Sequence, residues 1–265
     1  MMRVGMSMYK EGDVMPQLAC QTITWGPERL LNDYQQILAD VKNGGFEGIE
    51  TNLAVLLKHQ VNLPNWLRDT GLRLVAVHYG ADSLMNMLAS ERGRVLEWQG
   101  KLKTPYFLVS SHPAYTEDNY RQLAKFMTEF AAKARNWGIQ VCFHHHDWEL
   151  KDPQCYLERF LQESGPEVGI AADFGWVLRS GFLISDFLKL VGPRLRYVHL
   201  KDSLKGEWTE LGCGELAVNE VLKLLIPLNL PWWTSEQDTT TDEPKNSVEL
   251  NAKYLRNFLV SRGGR

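Results

Sequence analysis

The sequence predicts an α/β chain of one domain, a (β/α)8 TIM barrel. Three observations predict it. Strand-like and helix-like segments alternate from end to end, which implies a parallel sheet with crossover helices. The chain has 265 residues, 44% of them hydrophobic, and barrels of about 250 residues are routinely single domains. The turn after the first strand reads QTITWGPE, whereas an open dinucleotide-binding sheet usually shows G-x-G-x-x-G there. No Walker A motif occurs either.

Residues 1–16 (MMRVGMSMYKEGDVMP) are Met-rich and aperiodic, with no apolar stretch of the signal-peptide kind. They are expected to form a disordered or loosely docked N-terminal extension, with Met15 an alternative start, and the catalytic domain is expected over 17–265. The first strand is expected at 18–22. Gly26, Pro27 and Glu28 then open a helix whose apolar positions Leu30, Leu31, Tyr34, Ile37, Leu38 and Val41 follow helical spacing. Gly44 and Gly45 stop it before a short strand at 48–50. Further β-rich runs stand at 72–78 and 106–110. A long amphipathic helix over 117–137 follows, with one apolar stripe from Tyr120 to Trp137 and Gly138 as its stop. Strands at 139–144, 168–173, 196–200 and 232–236 complete eight, and a last helix spans 245–260.

Composition limits the function classes. A net charge of -3 and a pI near 6.2 offer no basic surplus for nucleic acid or an anionic membrane. No apolar run approaches the ~20 residues of a membrane span. The four cysteines (Cys20, Cys142, Cys155, Cys213) form no CxxC pair, as in a protein of the reducing cytoplasm.

The chemistry is expected at the strand ends. The last residues of the eight strands are Thr22, Glu50, His78, Ser110, His144, Asp173, His199 and Glu236, about one βα unit apart. In a closed barrel these points converge on one rim, where barrel enzymes keep their active sites. A single strand-end histidine is more often a structural hydrogen bonder, and a strand-end aspartate often caps the next helix. Six polar residues at one phase of the repeat are harder to assign to a dry core, because burying them unpaired is costly. In the triplet His144-His145-His146, alternation along a strand turns His144 and His146 inward and His145 outward. His144 with Asp173, His199 and Glu236 is a mixed N/O set that suits Mn, Co, Fe or Zn better than Mg or Ca.

These residues carry a resemblance. The segments 141–150 (VCFHHHDWEL), 172–176 (ADFGW), 198–202 (VHLKD) and 235–238 (SEQD) resemble the sugar isomerase/epimerase superfamily of xylose isomerase-like barrels. The first half agrees more loosely, through 20–26, 45–50 and 74–78. The resemblance implies one divalent metal held at the ends of strands five to eight, here by His144, Asp173, His199 and Glu236. The first of these is Glu in most of the family. The H-x-H form resembles the inosose dehydratase branch, whose members dehydrate a keto-inositol. Trp176 stands where many members have a substrate-contacting histidine.

The implied function is isomerisation, epimerisation or dehydration of a small carbohydrate or cyclic polyol through an enediolate, following removal of a proton beside a carbonyl. With His144 in place of Glu, Glu236 is the expected base and His146 the expected partner acid, since imidazole titrates near neutrality. Lys201 is expected to hold an oxyanion or hydroxyl, with a surface ion pair to Asp202 as its plainer reading. Trp25, Glu50 and His78 are expected substrate contacts, although Trp25 equally suits rim packing. Trp148, Trp176, Trp232 and Trp233 suit either an aromatic wall or core filling. Two other functions share this superfold: a DNA-repair endonuclease, which needs several metals and a basic face, and a non-catalytic sugar-binding relative.

Overall fold

The computed structural model describes residues 15–151 and 155–263, so most of the expected extension lies outside the described residues. Eight strands form a closed parallel barrel: β1 Gln17–Gln21, β2 Gly48–Asn52, β3 Arg73–Gly80, β4 Tyr106–Ser110, β5 Gln140–His144, β6 Gly169–Asp173, β7 Leu195–Leu200 and β8 Trp232–Ser235. Closure follows from β1 pairing with β2 on one side and β8 on the other. The choice between an open sheet and a barrel is thereby decided for the barrel.

The helices differ from expectation in two places. The helix that opens at Gly26 breaks at Asp33, giving Gly26–Asn32 and Tyr34–Gly44. The break separates two tasks. Tyr34, Ile37, Leu38 and Val41 are buried in the outer core, while Leu31 stays 39% exposed at the rim. The long helix runs Glu117–Ala134 behind a Thr116–Asn119 capping box and then tightens into a 3-10 turn, Arg135–Trp137. Tightening rotates Trp137 off the buried stripe, and its ring lies over Gly100 instead. The last helix spans Pro244–Gly263. A hairpin of Asp202–Leu204 with Glu207–Thr209, unforeseen in the sequence pattern, follows β7. Among the described residues no helix is long and apolar enough to cross a membrane.

The pleat divides the core into two layers. Leu108, Cys142, Ala171, Tyr197 and Trp232 belong to a cluster inside the barrel, and the larger cluster lies between strands and helices. Adjacent tryptophans show the rule. Trp232 fills the barrel, whereas Trp233 packs outward against Phe258 at 6.3 Å. Both are therefore core residues. Within the barrel, Tyr197 accepts a hydrogen bond from Thr234 (2.6 Å) and supports the His199 ring edge-on at 5.5 Å. The apolar layer is thus the floor of the layer above it.

Gly48 makes this floor possible. A Cβ there would stand 2.4 Å from Val75 Cγ2 and 2.8 Å from Trp232 Cζ3. Gly48→Ala is expected to destabilise the fold by about 1–3 kcal/mol through overpacking. Gly93→Ala, in the helix Ala89–Lys101 with open space around it, is expected to stabilise by about 0.5–1 kcal/mol. Urea denaturation of the two variants checks both signs.

Candidate active site

The same two-residue period that fills the floor lifts polar side chains to the barrel mouth. Two residues beyond Cys142, Ala171 and Tyr197 come His144, Asp173 and His199, and Glu236 lies two beyond Thr234. All four polar residues are buried, and each offers one ligand-type atom within 4.8 Å of the others. His144 Nε2 lies 3.6 Å from Asp173 Oδ2, and His199 Nδ1 lies 2.7 Å from Glu236 Oε2.

The hydrogen bonding around these atoms is one-sided. Asp173 Oδ1 accepts from the N–H groups of Gly175 (2.9 Å) and Trp176 (3.1 Å), capping the helix Phe174–Ser180, while Oδ2 has no partner. His199 Nε2 contacts Glu50 Oε2 at 2.7 Å, while Nδ1 lies against Glu236 Oε2 without an aligned hydrogen bond. Glu236 Oε1 accepts from Lys201 (3.3 Å), while Oε2 has only that misaligned approach to His199. Both ring nitrogens of His144 are unpartnered. Buried orphans are rare and costly, and these face a common point. A divalent cation bound by two imidazoles and two carboxylates would satisfy them, so the residues present fit such an ion.

Burial and mutual charge shift all four groups. Burial holds the His144 imidazole well below its ordinary pKa, helped by the rings of His78, His146 and His199, which favours the neutral form that can bind a cation. Burial pushes the Asp173 carboxyl up to about 6, against the pull of Lys201. Burial also pushes Glu236 up, but His199 and Lys201 overcome it and hold this carboxylate well below its usual range. Burial lowers His199, and the charges of Glu236 and Glu50 more than reverse this.

A second layer orients these groups. Glu50 is fully buried and bridges two rings, His199 through Oε2 and His78 Nδ1 through Oε1 at 3.2 Å. The β2–β3 register shifts between Ile49 and Glu50, the kind of irregularity that re-aims a side chain. Glu50, expected as a substrate contact, is not among the residues that line the cavity. It lies beneath the cavity and sets the orientation of His199. His145 points outward as expected, packs against Phe187 at 4.8 Å, and accepts the Asp173 backbone N–H at Nε2 (3.1 Å). Glu149, missed in the sequence reading, is buried; it accepts from the His146 backbone N–H (2.7 Å) and the Tyr120 hydroxyl (2.8 Å), and it contacts Ser111 Oγ. Its i+3 spacing from His146 was the available signal.

A cavity of about 530 Å³ opens above the group, with His78, His144, His146, Trp176, Lys201 and Glu236 among its lining. Trp25 does not line it; it is buried in the outer core. His146 stacks on Trp148 at 3.9 Å. Burial holds this imidazole well below its ordinary pKa, which favours the neutral ring. Lys201 is 1% exposed. Its Nζ lies 2.7 Å from Asp238 and 3.6 Å from Asp173, beneath the rings of Trp208 (4.2 Å) and Trp176 (4.9 Å). Burial opposes its charge, and the carboxylates of Glu236, Asp173 and Asp238 raise its pKa. The alternative pairing with Asp202 is overturned. The Asp202 carboxylate instead accepts the N–H groups of Ser203, Gly212, Gly214 and Leu216.

A family model described as "Xylose isomerase-like TIM barrel" matches residues 38–258. The chain belongs to this family. Among curated relatives, the inosose dehydratase of Bacillus anthracis (strain CDC 684 / NRRL 3495) is 23% identical over an alignment of 300 positions covering 94% of this chain and 98% of the relative. Among solved structures, a sugar phosphate isomerase/epimerase from Parabacteroides distasonis superposes with a TM-score of 0.76 at 15% identity, covering 94% of this chain and 98% of that one. The IOLI protein with a bound zinc atom superposes at 0.72 and 13% identity, covering 94% and 100%. The family accounts for the barrel, and the resemblance to inosose dehydratases agrees with the curated relatives.

Glu50→Gln keeps the size of the side chain and removes its charge. The variant is expected to bind Mn or Zn about 10- to 100-fold more weakly, as loss of a partner oriented on a ligating histidine does. Isothermal titration with each metal checks this, and unchanged affinity would show that Glu50 does not orient His199.

Proposed function

We propose that the protein is a divalent-metal-dependent isomerase, epimerase or dehydratase acting on a small carbohydrate or cyclic polyol. The observation that carries this reading is the set of unpartnered, inward-facing atoms on His144, Asp173, His199 and Glu236 at the base of the cavity. These four residues would hold the ion. Mn, Co, Fe or Zn suits a set with two imidazoles, and the zinc of the structurally similar IOLI protein is consistent with that choice. When bound, the ion would polarise a substrate carbonyl and acidify the adjacent C–H.

The chain's own groups then handle protons. Glu236 is the base. Lys201 beside its Oε1 favours the ionised carboxylate needed to remove a proton from the carbon next to the carbonyl, giving an enediolate. His146, a neutral ring lining the same cavity, hydrogen-bonds a substrate hydroxyl and passes a proton only as it receives one. Lys201 donates to oxygen at the reacting centre, and His78, which lines the same cavity, contacts the substrate. The bridge from Glu50 to His78 and His199 keeps both rings from turning as charge moves.

Return of the proton to the neighbouring carbon isomerises. Return to the other face epimerises, and loss of a β-hydroxyl dehydrates. The inosose dehydratase relatives favour the last, and the sugar isomerase/epimerase neighbour the first two.

Elemental analysis of the purified protein is expected to give one divalent metal per chain, lost in Glu236→Gln or His199→Ala. Failure to bind Mn, Co or Zn on addition would sink the proposal. Two or three metals with cleavage of abasic DNA would point to an endonuclease.

Incubation with ketoses and keto-inositols in heavy water separates the reactions. Deuterium uptake without water loss marks isomerase or epimerase chemistry, and loss of water marks a dehydratase. Glu236→Gln is expected to slow either at least about 100-fold, the usual scale for removing a general base.

A further inference from the structure

The two sides of the cavity differ in chemistry. The side toward β3, β5, β7 and β8 carries His78, His144, His146, Lys201, Glu236 and Asp238. The side after β1 and β2 carries Ile23, Pro27, Leu30, Leu31, Ala54 and Val55, with Gln21, Thr22 and Asn52 at its inner edge, at the ends of β1 and β2. Ile23 and Leu31 remain 38% and 39% exposed, a cost in apolar surface that an occupant of the same chemistry would remove. This apolar side is continuous with the cavity over the ligand group.

The polar side has little left for an anion. Among the described lining residues Lys201 is the one ammonium, and no guanidinium is present. The Lys201 ammonium is already shared by Asp238, Glu236 and Asp173. A divalent ion would balance Asp173 and Glu236, and Lys201 balances Asp238. At the rim helix Leu53–Lys58 Asn52 holds the Ala54 N–H, and at the helix Phe174–Ser180 Asp173 holds the N–H groups of Gly175 and Trp176. The short helix Ala81–Asn86 carries Asp82 in its first turn, which disfavours an anion there. A phosphate would find no uncommitted cationic side chain among these lining residues.

We infer that the substrate is an uncharged, unphosphorylated carbohydrate or polyol bearing an apolar group. The group is a glycoside's aglycone or a deoxygenated carbon chain, seated against Ile23, Leu31 and Val55 while the substrate's oxygens face the polar side. This inference rests on the reading of the cavity as a carbohydrate site. The volume of about 530 Å³ lies in the range that encloses a drug-sized ligand and leaves space beyond one sugar ring.

The test is calorimetric titration of the zinc-loaded protein with methyl, butyl and hexyl β-D-glucoside, with glucose and with glucose 6-phosphate. Affinity is expected to rise by about fourfold for each methylene that becomes buried, and glucose 6-phosphate is expected to bind no more tightly than glucose. Ile23→Ser with Leu31→Ser is expected to flatten the chain-length dependence while leaving zinc stoichiometry unchanged. A flat series in the unsubstituted protein, or preference for the phosphate, overturns the inference. The chelator-treated protein separates this result from the proposed function, because the apolar side does not depend on metal. A chain that binds no metal but keeps the chain-length dependence loses the catalytic proposal and retains the subsite. A chain that binds metal and exchanges deuterium but shows no such dependence loses only the subsite.

Discussion

The contact between Glu50 and His199, 2.7 Å long and wholly buried, decides what the barrel mouth can do. An imidazole has two chemically similar nitrogens, and which one faces a ligand depends on what holds the other. Glu50 holds Nε2, so Nδ1 faces Asp173 and Glu236. The same carboxylate also holds His78, so one buried charge sets two rings. Its burial would be prohibitive in isolation. His199 and the His78 contact overcome that cost and keep the carboxylate ionised.

Around this contact the site repeats one device. Asp173, His199 and Glu236 each use one atom for their own support and leave the other for the centre, whereas His144 has neither nitrogen held. Asp173 caps a helix with Oδ1, and Glu236 meets Lys201 with Oε1. His145, facing away from the centre, holds the Asp173 backbone. Rigid strands then carry these groups on a floor of Tyr197 and Trp232. Such support matters because catalysis by pre-oriented groups loses most of its advantage when they are free to turn. Gly175 belongs to the same arrangement, since a Cβ there would meet Lys201 Cγ and Trp208 Cζ3 at 2.9 Å. Its bare backbone admits the lysine beneath its aromatic cover.

Much of this was legible along the chain, for reasons that differ by residue. His144, Asp173, His199 and Glu236 recur at one phase of the βα repeat, and the repeat is a local pattern that brings them to one rim. Alternation in the histidine triplet and in Trp232-Trp233 is equally local, and the structure obeys both. Glu50 shared the same phase, but its role did not follow. Whether a strand-end carboxylate faces substrate or supports a neighbour depends on a register shift in β2 and on a histidine 149 positions away. Lys201 followed the same logic. Its neighbour in sequence, Asp202, turned to a loop, and its partner Asp238 came from the far side of β8.

By itself the sequence determined the barrel, the order of its strands and the positions at which polar groups leave them. All of these depend on short-range periodicity, which the peptide geometry translates directly into facing. Only the tertiary structure decided which polar group touches which, that Trp25 is core, that burial favours a neutral His146, and that one cavity side is mainly apolar. Those properties depend on burial and on contacts between residues remote in the chain, and no local pattern encodes how much water a side chain retains.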